Sequence, residues 1–121
     1  GLVTVAQGDC LEPLAPGEPL AAVVCNPPYV DAPGMAALPR DVAGFDPAGA
    51  LYGGIDGLDA VRRLAAAAAV RLAPGGLLAF EIGDGQGRAA AGILARAGLP
   101  GAGVERDLAG RERYVLAERP A

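Results

Sequence analysis

Short apolar runs alternate with longer helical patterns along this chain, and the change of period divides it into elements. Leu2-Val3-Thr4-Val5-Ala6 and Leu20 to Cys25 are brief, partly β-branched and bounded by turn formers, which predicts strands at 2–6 and 20–25. Pro13, Pro16, Gly17 and Pro19 make the connection between them irregular. Residues 30–54 carry Pro33, Pro39, Pro47 and several glycines, and read as a loop with Leu38, Phe45, Leu51 and Tyr52 as apolar anchors. A helical period follows: Leu58, Val61, Ala65, Ala68 and Leu72 share one face. Asp56 is the expected N-cap, Asp59 lies near the positive helix end, and Pro74-Gly75-Gly76 is the expected stop.

Leu77 to Ile82 predicts a third strand, apolar on both sides as a central parallel strand should be. Gly83-Asp84-Gly85-Gln86-Gly87 then turns the chain into a helix over roughly 86–97, with Asp84 as N-cap and Gly98 as stop. Its glycine spacing resembles a dinucleotide loop only loosely, and a capped turn is the better reading. Val104 to Asp107 and Tyr114 to Glu118 predict two strands whose short connector makes them an antiparallel hairpin. The order β, β, α, β, α, β, β predicts an α/β fold: a mostly parallel sheet finished by an antiparallel hairpin, with right-handed crossovers.

The chemistry gathers where the 20–25 strand ends, at Asn26-Pro27-Pro28-Tyr29. Neither proline has an N–H, so the strand stops there, and Pro27 holds Asn26 out of the α region. A rigid turn results at the carboxyl end of a strand, the edge where open α/β sheets bind ligands. An acceptor on the Asn26 side chain and the Pro27 carbonyl could each take one N–H of a substrate NH2 group, fixing a planar nitrogen and aiming its lone pair. Tyr29 could stack on that group or wall the pocket. This is catalysis by orientation and dipoles rather than by a strong base. The plainer reading is a strand-ending turn built from ordinary turn formers. Because the loop at 30–54 follows directly, it reads as a lid or substrate-binding loop. Glu81 interrupts its apolar strand near the carboxyl end; it belongs either to a site or to a hydrogen bond with loop backbone.

Composition narrows the classes. The length fits one small domain, and 52% apolar residues suffice for a core, although Ala and Gly supply much of it. Net charge is −4, and the ten cationic residues are all Arg with no basic run, so a nucleic-acid surface is disfavoured. With two cysteines, Cys10 and Cys25, and no histidine, a structural zinc site is not expected; two small buried thiols in a reducing cytoplasm are. No signal peptide is visible, and no apolar run is long enough to span a bilayer.

Taken together these residues resemble the HemK-like protein (glutamine-N5) methyltransferases. The resemblance rests on Gly8-Asp9, Cys25-Asn26-Pro27-Pro28-Tyr29-Val30, Asp46-Pro47 and Ala50-Leu51-Tyr52-Gly53-Gly54-Ile55-Asp56-Gly57-Leu58. It continues through Leu72-Ala73-Pro74-Gly75-Gly76, Glu81-Ile82-Gly83, Gln86-Gly87 and Arg106-Asp107-Leu108-Ala109-Gly110-Arg111-Glu112-Arg113. One departure is Asp46, where the family more often carries Glu. The resemblance implies S-adenosylmethionine-dependent methylation of the glutamine in the Gly-Gly-Gln motif of peptide chain release factors. Asn26 and Pro27 would be catalytic. With Pro28 and Tyr29 they would hold the substrate amide, and Asp9 and Asn26 would face the cofactor, Asp9 near its adenine. The amide nitrogen would attack the sulfonium methyl in one displacement and lose its proton to water, so no histidine base is needed.

The resemblance also implies a partial class I methyltransferase (Rossmann-like) sheet. The family's seven strands run in the order 3-2-1-4-5-7-6, and this chain starts at the third. The first two strands, with the glycine-rich cofactor loop and the ribose-binding acid, are expected to be missing, as is the helical recognition domain. Residues 1–121 are thus expected to be the C-terminal portion of one methyltransferase domain that binds cofactor poorly alone. Residues 2–6 are expected either to pair with the open edge of the 20–25 strand or to detach. An N6-adenine or other nucleic-acid amino-methyltransferase is the closest rival, since an Asn-Pro-Pro-Tyr turn would serve it equally. A non-catalytic module that keeps the fold is the second.

Overall fold

A computed structural model describes residues 2–39, 44 and 47–121. Phe45 and Asp46, expected in the substrate loop, lie outside the described residues. Strand β1 (Leu20–Cys25) is followed by two short helices, α1 (Ala32–Ala36) and α2 (Ala48–Leu51). Then come α3 (Asp59–Arg71), β2 (Leu72–Glu81), α4 (Gly87–Arg96), β3 (Gly103–Arg106) and β4 (Glu112–Glu118). The strands form one sheet in the order β1-β2-β4-β3. β1 and β2 are parallel, while β4 runs antiparallel to both its neighbours. Three of the four strands therefore point the same way, and the order matches the 4-5-7-6 half of the expected sheet.

Residues 2–6 are not a strand. They are exposed and, among the described residues, pair with no strand, and the outer edge of β1 stays unpaired. A β-branched pattern makes a strand only when a neighbouring edge satisfies its backbone. Of the two expected outcomes for this segment, detachment is the one observed.

α3 and α4 pack against each other and over one face of the sheet. Val23, Leu78, Phe80 and Val115 point into the layer between, where they meet Leu64 and Leu94. Side chains on the opposite face stay open among the described residues: Val24 is 80% exposed and Tyr114 47%. β2 is apolar on both sides, as its sequence says, but only one side is covered.

Two expected caps are corrected. Asp56 does not cap α3; the N-cap is Leu58, and Asp56 Oδ1 instead accepts the Leu58 N–H at 3.0 Å in a turn just before the helix. Asp84 does not cap α4 either. Its Oδ1 accepts the Glu112 N–H at 3.0 Å, while Glu112 Oε2 accepts the Gly87 N–H at 2.9 Å, so turn and hairpin brace each other. The α4 end is as expected: the Leu99 N–H reaches the Leu94 carbonyl and the Gly98 N–H the Ala95 carbonyl, a Schellman closure.

Pro74-Gly75-Gly76 ends no helix. α3 already stops at Arg71, and β2 begins at Leu72, paired with Leu20. The register shifts before Ala22 meets Leu77, so the Pro-Gly-Gly segment is an irregularity within a longer strand. The expected loop at 30–54 holds α1 and α2, and a parallel bridge joins Val30 to Tyr52.

Candidate active site

Cys25 pairs with Phe80 at the end of β1, so Asn26 and Glu81 emerge side by side at the carboxyl edge of two adjacent parallel strands. Pro27 is buried and fixes the turn from beneath, while Asn26 is exposed. Among the described residues no backbone N–H donates to the Pro27 carbonyl. The two prolines supply no N–H donor to the turn, so its polar groups are the acceptors and the Asn26 amide.

The turn is held from three sides. The Tyr29 hydroxyl donates to Glu81 Oε1 at 2.9 Å. The Gln86 side-chain amide donates to the Tyr29 carbonyl at 3.0 Å and accepts the Gly83 N–H at 2.8 Å. Beneath, the Gly53–Gly57 segment runs against the turn so closely that a Cβ on Gly53 would lie 2.7 Å from the Pro28 carbonyl oxygen. The Val30 N–H reaches the Leu51 carbonyl at 2.9 Å, and the Gly53 N–H reaches the Val30 carbonyl at 2.8 Å. The two ends of the substrate loop are thereby joined below the turn.

Glu81 is hydrogen-bonded to a side chain of the turn, the Tyr29 hydroxyl, and among the described residues its carboxylate takes no hydrogen bond from loop backbone. Burial raises the Tyr29 phenol above its ordinary pKa of 10, and the hydrogen bond and charge of Glu81 raise it further. Tyr29 stays protonated near neutrality and acts as donor. The two thiols are not both buried as expected: Cys10 is exposed, while partial burial pushes the Cys25 thiol up, with Cys10 adding to the effect.

The turn lines two clefts, and a third of about 250 Å³ reaches Asn26 and Glu81 beside Val24 and Tyr114. One, of about 150 Å³, is lined by Asn26, Pro27, Tyr29, Leu51 and Glu81 among others. It has room for about five waters, enough for a side-chain carboxamide. The other, of about 160 Å³, lies towards Asp9, Cys10, Cys25, Arg63 and Leu64. Asn26, Pro27 and Pro28 line both. The structure therefore brings Asn26, Pro27, Pro28 and Tyr29 together on the first cleft and sets Asp9 on the second. There Asp9 is exposed and lies 3.7 Å from Arg63. An exposed carboxylate at a narrow cleft suits the amino edge of a planar base. The glycine-rich turn 83–87 offers no phosphate cradle, because the Gly83 and Gly87 N–H groups are spent on Gln86 and Glu112.

Gln86 and Arg113 are the functional-site residues that motif reading left without a role. Neither spacing nor residue type marks them, since both act from outside the turn. Arg113 Nη1 lies 3.8 Å from Glu81 Oε1.

The sheet edge, the proline-framed turn and its clefts fit the partial methyltransferase sheet expected from the sequence. Sequence comparison agrees. The chain is 50% identical over 103 residues to the release factor glutamine methyltransferase of Rhodospirillum rubrum, covering 85% of this chain and 32% of that protein. It is 48% identical over 118 residues to the release factor glutamine methyltransferase of Moorella thermoacetica, covering 97% and 41%. The ribosomal protein uL3 glutamine methyltransferase of Bordetella pertussis is 47% identical over 81 residues, 67% of this chain and 26% of that protein. No protein-family model matches the chain. The chain belongs to the HemK-like release factor glutamine methyltransferase family, and it spans well under half the length of these relatives.

Proposed function

We propose that residues 1–121 are the C-terminal portion of one methyltransferase domain. In it they hold the acceptor during S-adenosylmethionine-dependent methylation of a glutamine side-chain nitrogen, N5, in the Gly-Gly-Gln motif of peptide chain release factors. The observation that carries this reading is the position of Asn26-Pro27-Pro28 between two clefts, one towards Tyr29 and Glu81 and the other towards Asp9. Asn26 Oδ1 and the Pro27 carbonyl accept the two N–H bonds of the amide and aim its lone pair toward the methyl donor. Tyr29, fixed by Glu81, walls the amide plane. Leu51, whose carbonyl takes the Val30 N–H, walls the same cleft. The released proton passes to solvent, which the exposure of Asn26 allows. S-adenosylmethionine supplies an electrophilic methyl group when bound; Asp9, near its adenine, and Asn26 would face it.

No helix of the described residues is long and apolar enough to cross a membrane. The cytoplasm, where release factors work, is the proposed location. The net charge of −4 weighs against a nucleic-acid substrate.

The test uses the native protein that carries this sequence, with labelled methyl donor and four acceptors: release factor, ribosomal protein uL3, DNA and RNA. Label on the glutamine of the release factor motif is expected. Label on a nucleobase, or on uL3 alone, would overturn the substrate named here.

A further inference from the structure

The tip of the β3–β4 hairpin is joined to the turn by a line of charged groups. Asp107 Oδ1 accepts the N–H groups of Ala109 at 2.9 Å and Arg111 at 3.0 Å, which closes the tip around the carboxylate. Its other oxygen takes a hydrogen bond from Arg113 Nη2 at 3.3 Å. The same guanidinium faces Glu81 through Nη1, and Glu81 in turn accepts from the Tyr29 hydroxyl. Asp107, Arg113 and Glu81 are each about three-quarters buried at the side chain, so solvent screens these contacts less than it would on an open surface.

Chemistry explains why three groups are needed. A phenol–carboxylate hydrogen bond fixes Tyr29 only if the carboxylate is itself fixed. Glu81 sits on the last residue of β2, where its backbone is held but its side chain is long. Arg113 supplies a planar cation that limits where that carboxylate can go, and Asp107 holds the guanidinium from the far side. Leu108, next to Asp107, is fully exposed at the tip, so the line begins at a surface feature and ends in the carboxamide cleft.

We propose that Asp107, Arg113 and Glu81 are positioning residues: a brace that sets the Tyr29 ring as the wall of the carboxamide cleft and makes the hairpin tip part of the acceptor site. The proposal rests on the reading of Asn26–Tyr29 as an amide-holding turn.

Tyrosine-labelled NMR of the native protein that carries this sequence reads the brace directly. Glu81→Gln should lower the pH at which Tyr29 titrates, because a carboxylate beside the phenol is lost. Arg113→Met should raise it, because a nearby cation is lost. Asp107→Asn touches neither Tyr29 nor Glu81, yet should move the Tyr29 ring signals. Leu108→Ala should leave them in place. In methyl-transfer assays Glu81→Gln and Arg113→Met should lower kcat roughly tenfold, as expected for a misplaced acceptor wall, with KM changing much less. Arg113→Lys should recover part of the loss.

Tyr29 signals and titration unchanged by Glu81→Gln and Asp107→Asn would overturn the brace. Shifted Tyr29 signals with wild-type kcat would overturn its positioning role. If the NMR responses hold but the native protein transfers no methyl to any glutamine, the brace stands and the functional reading is what fails.

Discussion

A Cβ on Gly57 would lie 2.3 Å from the carbonyl oxygen of Tyr29, and the Gly57 backbone sits at a φ of +78°. The Gly-Gly-x-Asp-Gly-Leu stretch is therefore a floor for the Asn-Pro-Pro-Tyr turn, and its last glycine is required twice over, by conformation and by space. Gly57→Ala should cost the left-handed penalty, roughly 1–2 kcal/mol, and the clash in addition. Gly85 is the control: its φ is +86°, but a Cβ there meets nothing within 4 Å. Gly85→Ala should show the backbone penalty alone. Denaturant titration of both variants checks the difference, with Gly57→Ala the more destabilised.

Gln86 clamps the same turn by a donor on one side and an acceptor on the other. Gln86→Glu keeps the acceptor that serves the Gly83 N–H and replaces the donor facing the Tyr29 carbonyl by an oxygen. Leaving that carbonyl unpaired against a carboxylate should destabilise the fold by roughly 1–3 kcal/mol. Thermal denaturation near neutral pH measures it; a variant as stable as wild type would mean the clamp contributes nothing.

Asp56 ties the turn before α3 to Arg62 and the Leu58 N–H. The Arg62 guanidinium, with the Leu58 N–H next, lowers its pKa from 3.8 to about 2. A carboxyl held lower in the folded state than in the unfolded one stabilises the fold above its unfolded pKa. That contribution is lost as pH falls through the folded value. Stability should therefore decline between about pH 4 and pH 2, and Asp56→Asn should flatten that part of the profile. Chemical denaturation at a series of acid pH values checks it.

The turn and the strand that carries it were legible because both signals are local: a β-branched run, then two prolines without N–H groups. The hairpin and the α4 stop at Gly98 were legible for the same reason. Asp56 and Asp84 were misread as caps because an aspartate that closes a turn before a helix has the same sequence signature as one that caps it. Pro74-Gly75-Gly76 was misread because a strand irregularity and a helix stop use the same residues. Residues 2–6 have a strand's composition but do not pair with the open edge of β1, which composition cannot reveal. Glu81 could be flagged as out of place but not assigned, since its partner lies 52 residues upstream. Gln86 and Arg113 stand in the resembling blocks without a role there, since the partners of Gln86 (Gly83 and Tyr29) and of Arg113 (Glu81 and Asp107) come together only in the fold.

The most direct measurement is the rate of glutamine methylation by the native protein carrying Asn26→Ala. Asn26 is exposed and props up nothing in the core, so the variant should fold as wild type does. Loss of one of the two acceptors that orient the amide should cut kcat by about 10²-fold or more, by analogy with removal of one preorganised partner in other active sites. A variant that folds normally and methylates glutamine at the wild-type rate would contradict the account.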